Sequence, residues 1–217
     1  HAPYGTMIPI SIDAELFDCL DAEKKHGRDK LSILHAPSNQ FYKGTAYVDE
    51  VLQKISVRYG DKIEIRKIHG ISHQEAIRNY LGYGAAIDQI GSISFGLFAL
   101  EALYLGRTVF TSFHEEEFFG EDPKMRAPVI AVKNQKDFYD RLVGFLDSGL
   151  VDHPDEYRQF VLENFSTGVI VRQYKELYER LMSGETIKQY VSQEWYKEFS
   201  LLLSNQKIDV RNFYPKV

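Results

Sequence analysis

Three stretches of the chain carry side chains suited to holding an anionic, hydroxylated ligand. The first, His35-Ala-Pro-Ser-Asn-Gln-Phe-Tyr-Lys-Gly-Thr, places Lys43 and several small polar groups where a helix begins. Free backbone N–H groups and the positive dipole end favour an anion at such a point, and an ammonium adds a point charge. Lysine is otherwise mildly unfavourable there, although on this segment alone a solvated surface lysine is the commoner case. The second, Asp88-Gln-Ile-Gly-Ser-Ile-Ser-Phe-Gly-Leu-Phe-Ala-Leu-Glu-Ala, reads as a strand end, a Gly/Ser loop and a helix. Gly91, Ser92, Ser94 and Gly96 let the backbone approach a phosphate closely. It is not a Walker loop, because Leu97-Phe98 stand where Lys-Ser/Thr would follow; nor is it the dinucleotide fingerprint, since Gly82-Tyr-Gly lacks the third glycine. Glu101 lies in an otherwise apolar stretch, either at an exposed helix edge or placed for hydroxyl groups, and residue type leaves both open. The third stretch is His69–Ser72.

The elements that would position these residues follow from hydrophobic periodicity. Leu31-Ser-Ile-Leu-His reads as a buried strand ended by the turn residues Ala36–Asn39. Lys43 to Tyr59 reads as a helix with Val48, Val51, Leu52 and Ile55 on one stripe, stopped by Gly60-Asp61. Lys62–Ile68 alternates as a strand, and Ser72 with Glu75 forms a capping box opening a helix to about Leu81. A third strand at Ala85–Asp88, a helix over Phe95–Leu105 ended by Gly106, and a fourth strand at Thr108–Thr111 follow. A polar loop then leads to a fifth strand at Pro128–Val132. Helices are expected near Lys136–Leu146, Pro154–Asn164, Val169–Met182 and Ile187–Leu203.

Strands alternating with helices signal a parallel sheet covered on both faces. The expected fold is α/β: a Rossmann-like doubly wound sheet of about five to six strands with a helical C-terminal extension. The expected organisation is a linker-like segment at 1–30, a domain at 31–183 and the extension at 184–217. In such a sheet ligands sit beyond the carboxyl ends of the strands, where the three stretches fall.

Composition narrows the function. The chain has 217 residues, with 26 basic and 31 acidic side chains giving a net charge of -5. An acidic protein without a long basic run is a poor candidate for nucleic-acid binding. Cys19 is the only cysteine, which excludes an internal disulfide framework and a thiolate zinc cluster. The strongly apolar run Phe95–Leu105 is about half the roughly 20 residues a spanning helix needs, and no signal peptide shows. A cytoplasmic protein with no transmembrane segment is expected, with room for peripheral membrane contact. His114-Glu-Glu-Glu with Glu121 and Asp122 reads as a solvated loop, His35 as a hydrogen-bonded structural histidine, His73 as exposed, and Cys19 as a packed or idle thiol.

Lys43-Gly44, Asp88-Gln89 and Phe95-Gly-Leu-Phe-Ala-Leu-Glu-Ala-Leu-Tyr-Leu-Gly together resemble the C-terminal, donor-binding domain of GT-B glycosyltransferases of the family 4 (group 1) type. Tyr157-Arg-Gln-Phe-Val-Leu-Glu-Asn-Phe-Ser and Tyr174-Lys-Glu-Leu-Tyr resemble that domain's closing helices, and the likeness runs from about Ile8 to Met182. It implies a hexosyltransferase-type enzyme that moves a sugar from a nucleotide-diphosphate donor to an acceptor, with retention. By matching position, Lys43, Gly44, Ser94, Phe95, Gly96 and Leu97 would hold the donor diphosphate. Glu101 would take the ribose hydroxyls, and His69, Gly70 and Ile71 would lie against the nucleobase. Lys43 and Glu101 are the best candidates for orienting the donor or stabilising the transition state. No metal and no other cofactor is expected. Two residues depart from the family pattern: Ile93 stands at the first position of the usual glutamate pair, and Gln40 where an arginine is common. GT-B enzymes react between two domains, so the resemblance implies an N-terminal acceptor-binding domain or partner subunit, without which the domain is inactive. Trp195, Tyr196 and Phe199 would lie toward it. The alternative is a non-catalytic nucleotide-sugar-binding module or donor subunit. A receiver-like signalling domain is disfavoured because His35-Ala-Pro replaces the acidic pair needed after the first strand. An epimerase of the same architecture would also need both domains.

Overall fold

A computed structural model describes residues 9–17, 31–90, 95–112, 127–148 and 154–185. Within these residues the expected strands and helices form, with shifted ends, while the helix expected at Ile187–Leu203 lies outside them. Strands β1 (Leu31–His35), β2 (Ile63–Lys67), β3 (Ala85–Ile87), β4 (Thr108–Thr111) and β5 (Ile130–Ala131) make one parallel sheet in the order β2-β1-β3-β4-β5. Helices α1 (Thr45–Tyr59), α2 (His73–Asn79), α3 (Leu97–Tyr104), α4 (Gln135–Ser148), α5 (Pro154–Phe165) and α6 (Thr167–Met182) connect and follow the strands.

Both faces of the sheet are covered, and neighbouring residues on each strand go to opposite sides. Ile33, Ala85, Ile87 and Phe110 pack with Val48, Val51, Leu52 and Ile55 of α1 and Phe138 and Leu142 of α4. Leu34, Ala86 and Val109 face the other way, against Ile77 of α2, most of α3, and Val161 and Phe165 of α5. This two-sided burial is why the strands read as short apolar runs. Helix α3 is buried at every position from Phe98 to Tyr104, as its lack of a polar face requires.

Local chemistry sets several boundaries. The side chain of Asn39 accepts hydrogen bonds from the N–H groups of Phe41 and Tyr42, at 3.0 and 3.1 Å. Residues 40–44 therefore form a turn and α1 starts at Thr45 rather than Lys43. The Ser72–Glu75 capping box forms as expected at the start of α2. Gly60 and Gly106 end their elements with positive φ. Strand β5 is shorter than expected and pairs with β4.

Two compact units divide the chain, residues 9–172 and a second made of 1–8 and 173–217. Within the first, Ile12 bridges to Ser166, and Ile12 and Phe17 are buried in the core beside α3 and α5. Of the second, residues 173–185 are described; they carry the later turns of α6, where Tyr174 stacks on Tyr178 and Arg180 pairs with Glu185. Most of the 184–217 extension, including Trp195, Tyr196 and Phe199, lies outside the described residues, as do Cys19 and the acidic 114–122 loop. Among the described residues no helix is long and apolar enough to cross a membrane.

Candidate functional site

The strand order reverses direction between β1 and β3, whose crossovers leave on opposite faces of the sheet. In open parallel sheets such a switch point is where ligands are expected to bind. Register pairs His35 with Ile87, so the β1–α1 loop and the β3–α3 segment leave the sheet side by side.

His35 fixes that junction. Its imidazole is fully buried, with Nδ1 2.8 Å from the carbonyl of Ile87 and Nε2 2.9 Å from the hydroxyl of Thr45. It is the structural histidine the sequence suggested. Burial lowers its pKa below the ordinary imidazole value, outweighing the Ile87 hydrogen bond and the nearby Asp88 and Asp49 charges. The folded state thus resists a proton that the unfolded chain accepts. This stability contribution is complete above about pH 6.5 and is lost as pH falls from there toward the lowered folded value, at no more than about 1.4 kcal/mol per pH unit. Urea titrations between pH 7.5 and 5.5 should show falling midpoints, with a flatter decline in His35→Gln. An equal decline in that variant would assign the effect to other groups.

Beyond His35 the two segments are stitched together. The Ile90 N–H donates to the Lys43 carbonyl at 3.2 Å. Gly44 sits at φ 63°, and a Cβ there would lie 1.9 Å from the Ile90 carbonyl oxygen. The Gly44 N–H donates to Phe41 within the turn, so this glycine supplies room for the crossing and its amide is already engaged.

The Lys43 ammonium pairs with Asp88, which follows β3 and is fully buried. The second carboxylate oxygen accepts the N–H of Gly96 at 2.5 Å. One carboxylate therefore ties the lysine to the N-terminus of α3. Side chain is excluded at Gly96: a Cβ would come 2.7 Å from Lys43 Nζ, 3.3 Å from Asp88 and 3.4 Å from Gln89. Leu97 and Phe98 open α3, where the first N–H groups have no acceptor in the preceding turn.

Glu101 lies one turn further along α3, on the same side as Leu97. Only 2% of it is exposed, which removes the exposed-edge reading. Burial raises its pKa, opposed by a hydrogen bond and charge from His73, with Asp88 raising it and Lys43 lowering it. His73 Nε2 stands 2.5 Å from the carboxylate. His73 is exposed as expected, with about half of its side-chain surface open, and α2 packs beside α3 so that the ring also meets Glu101. The Tyr80 hydroxyl also hydrogen-bonds Glu101, and burial raises the phenol's pKa further from neutrality.

Lys43, Gly96, Leu97 and Glu101 thus gather at the switch point, with Phe95 packed against the α3 side of the core. The loop holding His69, Gly70 and Ile71 leaves β2, next to β1, and leads directly into His73; Gly70 has φ 71° and Ile71 is exposed. Ser94 and Ile93 lie outside the described residues. Sequence reasoning did not assign Asp88 as the partner of Lys43, nor His73 as that of Glu101. Both partnerships depend on strand order, which no local signal in the sequence carries. Among the described residues no cluster of His, Cys, Asp and Glu is arranged to hold a metal ion.

No family model and no curated protein sequence matches the chain. Solved structures do. Sucrose-phosphate synthase from Thermosynechococcus elongatus aligns with a TM-score of 0.56 at 16% identity, over 83% of this chain and 53% of that one. A glycosyltransferase from Rickettsia africae ESF-5 gives 0.57 at 15% identity, over 82% and 57% respectively. A variant of S. aureus TarM, in complex with fondaparinux, alpha-GlcNAc-glycerol and UDP, gives 0.54 at 14% identity, over 78% and 43%. The chain spans about half the length of these structures. At such identities the likeness shows the fold, the Rossmann-like architecture of GT-B glycosyltransferases.

Proposed function

We propose that this chain is the donor-binding domain of a glycosyltransferase of the family 4 type, the C-terminal half of a GT-B enzyme. The observation that supports this best is the convergence of Lys43, the α3 N-terminus and Glu101 at the switch point. An ammonium beside free helix N–H groups suits a diphosphate. A buried carboxylate one turn away, about 6 Å along the helix surface, suits the ribose hydroxyls that follow the diphosphate in a nucleotide.

In this reading Lys43 and the first N–H groups of α3, with Ser94, Phe95, Gly96 and Leu97, cradle the diphosphate. Their charge stabilises the departing nucleoside diphosphate as the sugar bond breaks. Asp88 keeps the ammonium at the helix end, so little rearrangement precedes binding. Gly44 keeps the two loops close, and His69, Gly70 and Ile71 border the base. The lysine and helix end supply the positive charge, so no metal is required. The sugar is a hexose moved with retention to an acceptor held by a further domain or subunit, without which no transfer occurs. The UDP in the TarM complex makes a uridine nucleotide the first ligand to try.

The test is thermal melting with UDP, GDP, ADP and their sugar conjugates. A ligand at about 100 times its Kd adds roughly 2.7 kcal/mol, a readily measured shift. A shift with one base and not the others supports a donor site; no shift with any of them refutes it. A second reading, a nucleotide-sugar-binding module without catalysis, is favoured by Gln40 and Ile93 at motif positions. It predicts nucleotide binding with no transfer even after an acceptor-binding domain is supplied.

A further inference from the structure

We propose that His73 is a positioning residue of the ribose site, fixing the Glu101 carboxylate in the orientation that accepts the ribose hydroxyls of a nucleoside diphosphate. The inference rests on the donor-site reading above and adds to it a residue from a different element.

Glu101 projects from a helix that is otherwise apolar at its buried positions, so its carboxylate depends on donors from outside α3. Two reach it: His73 Nε2 at 2.5 Å from Oε1, and the Tyr80 hydroxyl. The charged groups near enough to act on it are Lys43, from the β1–α1 loop, and Asp88, after β3, which are tied to each other. That leaves the His73 ring as the nitrogen-bearing group in direct contact with the carboxylate among the described residues.

The backbone at His73 is itself held. It is the first residue of α2, directly after Ser72, whose N–H donates to the Glu75 carboxylate at 2.9 Å and whose hydroxyl takes the Glu75 N–H at 3.3 Å. This capping box anchors the imidazole at the end of the loop expected to face the base. Its ring therefore links that loop to the ribose carboxylate. A buried carboxylate lacking such a donor favours its neutral form, which has lost an acceptor position that a hydroxyl would use.

The experiment measures calorimetric Kd for whichever of UDP, GDP and ADP binds tightest, and for its 2′,3′-dideoxy form. The proteins are the unsubstituted chain, His73→Ala and His73→Gln. Hydrogen bonds from ribose to a carboxylate should make the unsubstituted chain prefer the ribonucleotide by roughly tenfold or more. In His73→Ala the preference should collapse toward parity, and His73→Gln, which keeps a side-chain N–H, should recover part of it. A merely structural role would lower both affinities together and leave the ratio intact. An unchanged ratio in a folded His73→Ala overturns the positioning role alone. An unsubstituted chain that binds none of the three nucleotides overturns the donor-site reading, and the inference with it.

Discussion

Lys43→Ala abolishes nucleoside-diphosphate binding and destabilises the domain by about 3–5 kcal/mol. The second effect follows from Asp88, whose carboxylate is fully buried and has the Lys43 ammonium and the Gly96 N–H as hydrogen-bond donors. Removing the ammonium leaves a buried charge with one backbone donor. Lys43 itself keeps only 11% of its side-chain surface, so solvent does little to screen the pair. The two effects are separable. In Lys43→Met combined with Asp88→Asn the charge is gone along with its partner, and most of the stability should return while binding stays absent. Urea denaturation and calorimetric titration of the three proteins make the comparison. A ligand-induced melting shift lost in Lys43→Ala alone would not establish a diphosphate contact, because the variant is already weakened. Equal stability of Lys43→Ala and the unsubstituted chain would show that Asp88 does not depend on the lysine.

The contrast between Asp88 and the elements around it shows what a sequence makes legible. Helix α1 announces itself through Val48, Val51, Leu52 and Ile55, all of them buried, and α2 through a capping box that forms as expected. These are local patterns, set by residues three or four apart. The pairing of Lys43 with Asp88 joins residues 45 positions apart, and that of His73 with Glu101 joins residues 28 apart. Both arise because β1 lies between β2 and β3, an order that apolar runs of similar character cannot encode. The types were legible, a lysine and a carboxylate near helix starts, but their partners were not. Glu101 illustrates the point: its neighbours in sequence are apolar, which allowed an exposed edge or a buried polar site. The fold decides it, leaving only 2% of the residue exposed and bringing His73 of α2 to its carboxylate.

Gly44→Ala should cost the domain about 2–5 kcal/mol and weaken nucleotide binding at least tenfold. Two terms combine. A left-handed conformation costs an alanine about 1–2 kcal/mol, and Gly44 has φ 63°. The added methyl would also sit 1.9 Å from the Ile90 carbonyl oxygen, a backbone atom in a segment whose N–H is bonded to the Lys43 carbonyl. Relief requires the β1–α1 loop and the segment after β3 to move apart, at a further cost of about 1–3 kcal/mol. That movement withdraws Lys43 from the α3 N-terminus, so the stability loss and the binding loss share one cause. Gly70 provides the comparison. It too has positive φ, 71°, but a Cβ there meets nothing within 4 Å. Gly70→Ala should therefore show the conformational term alone, about 1–2 kcal/mol. If urea denaturation gives the two variants equal losses, the crossing of residues 44 and 90 is not as tight as drawn, and the lysine is not held in place by it. If Gly44→Ala loses the larger amount and Lys43-dependent binding falls with it, the glycine is part of the site through the space it leaves.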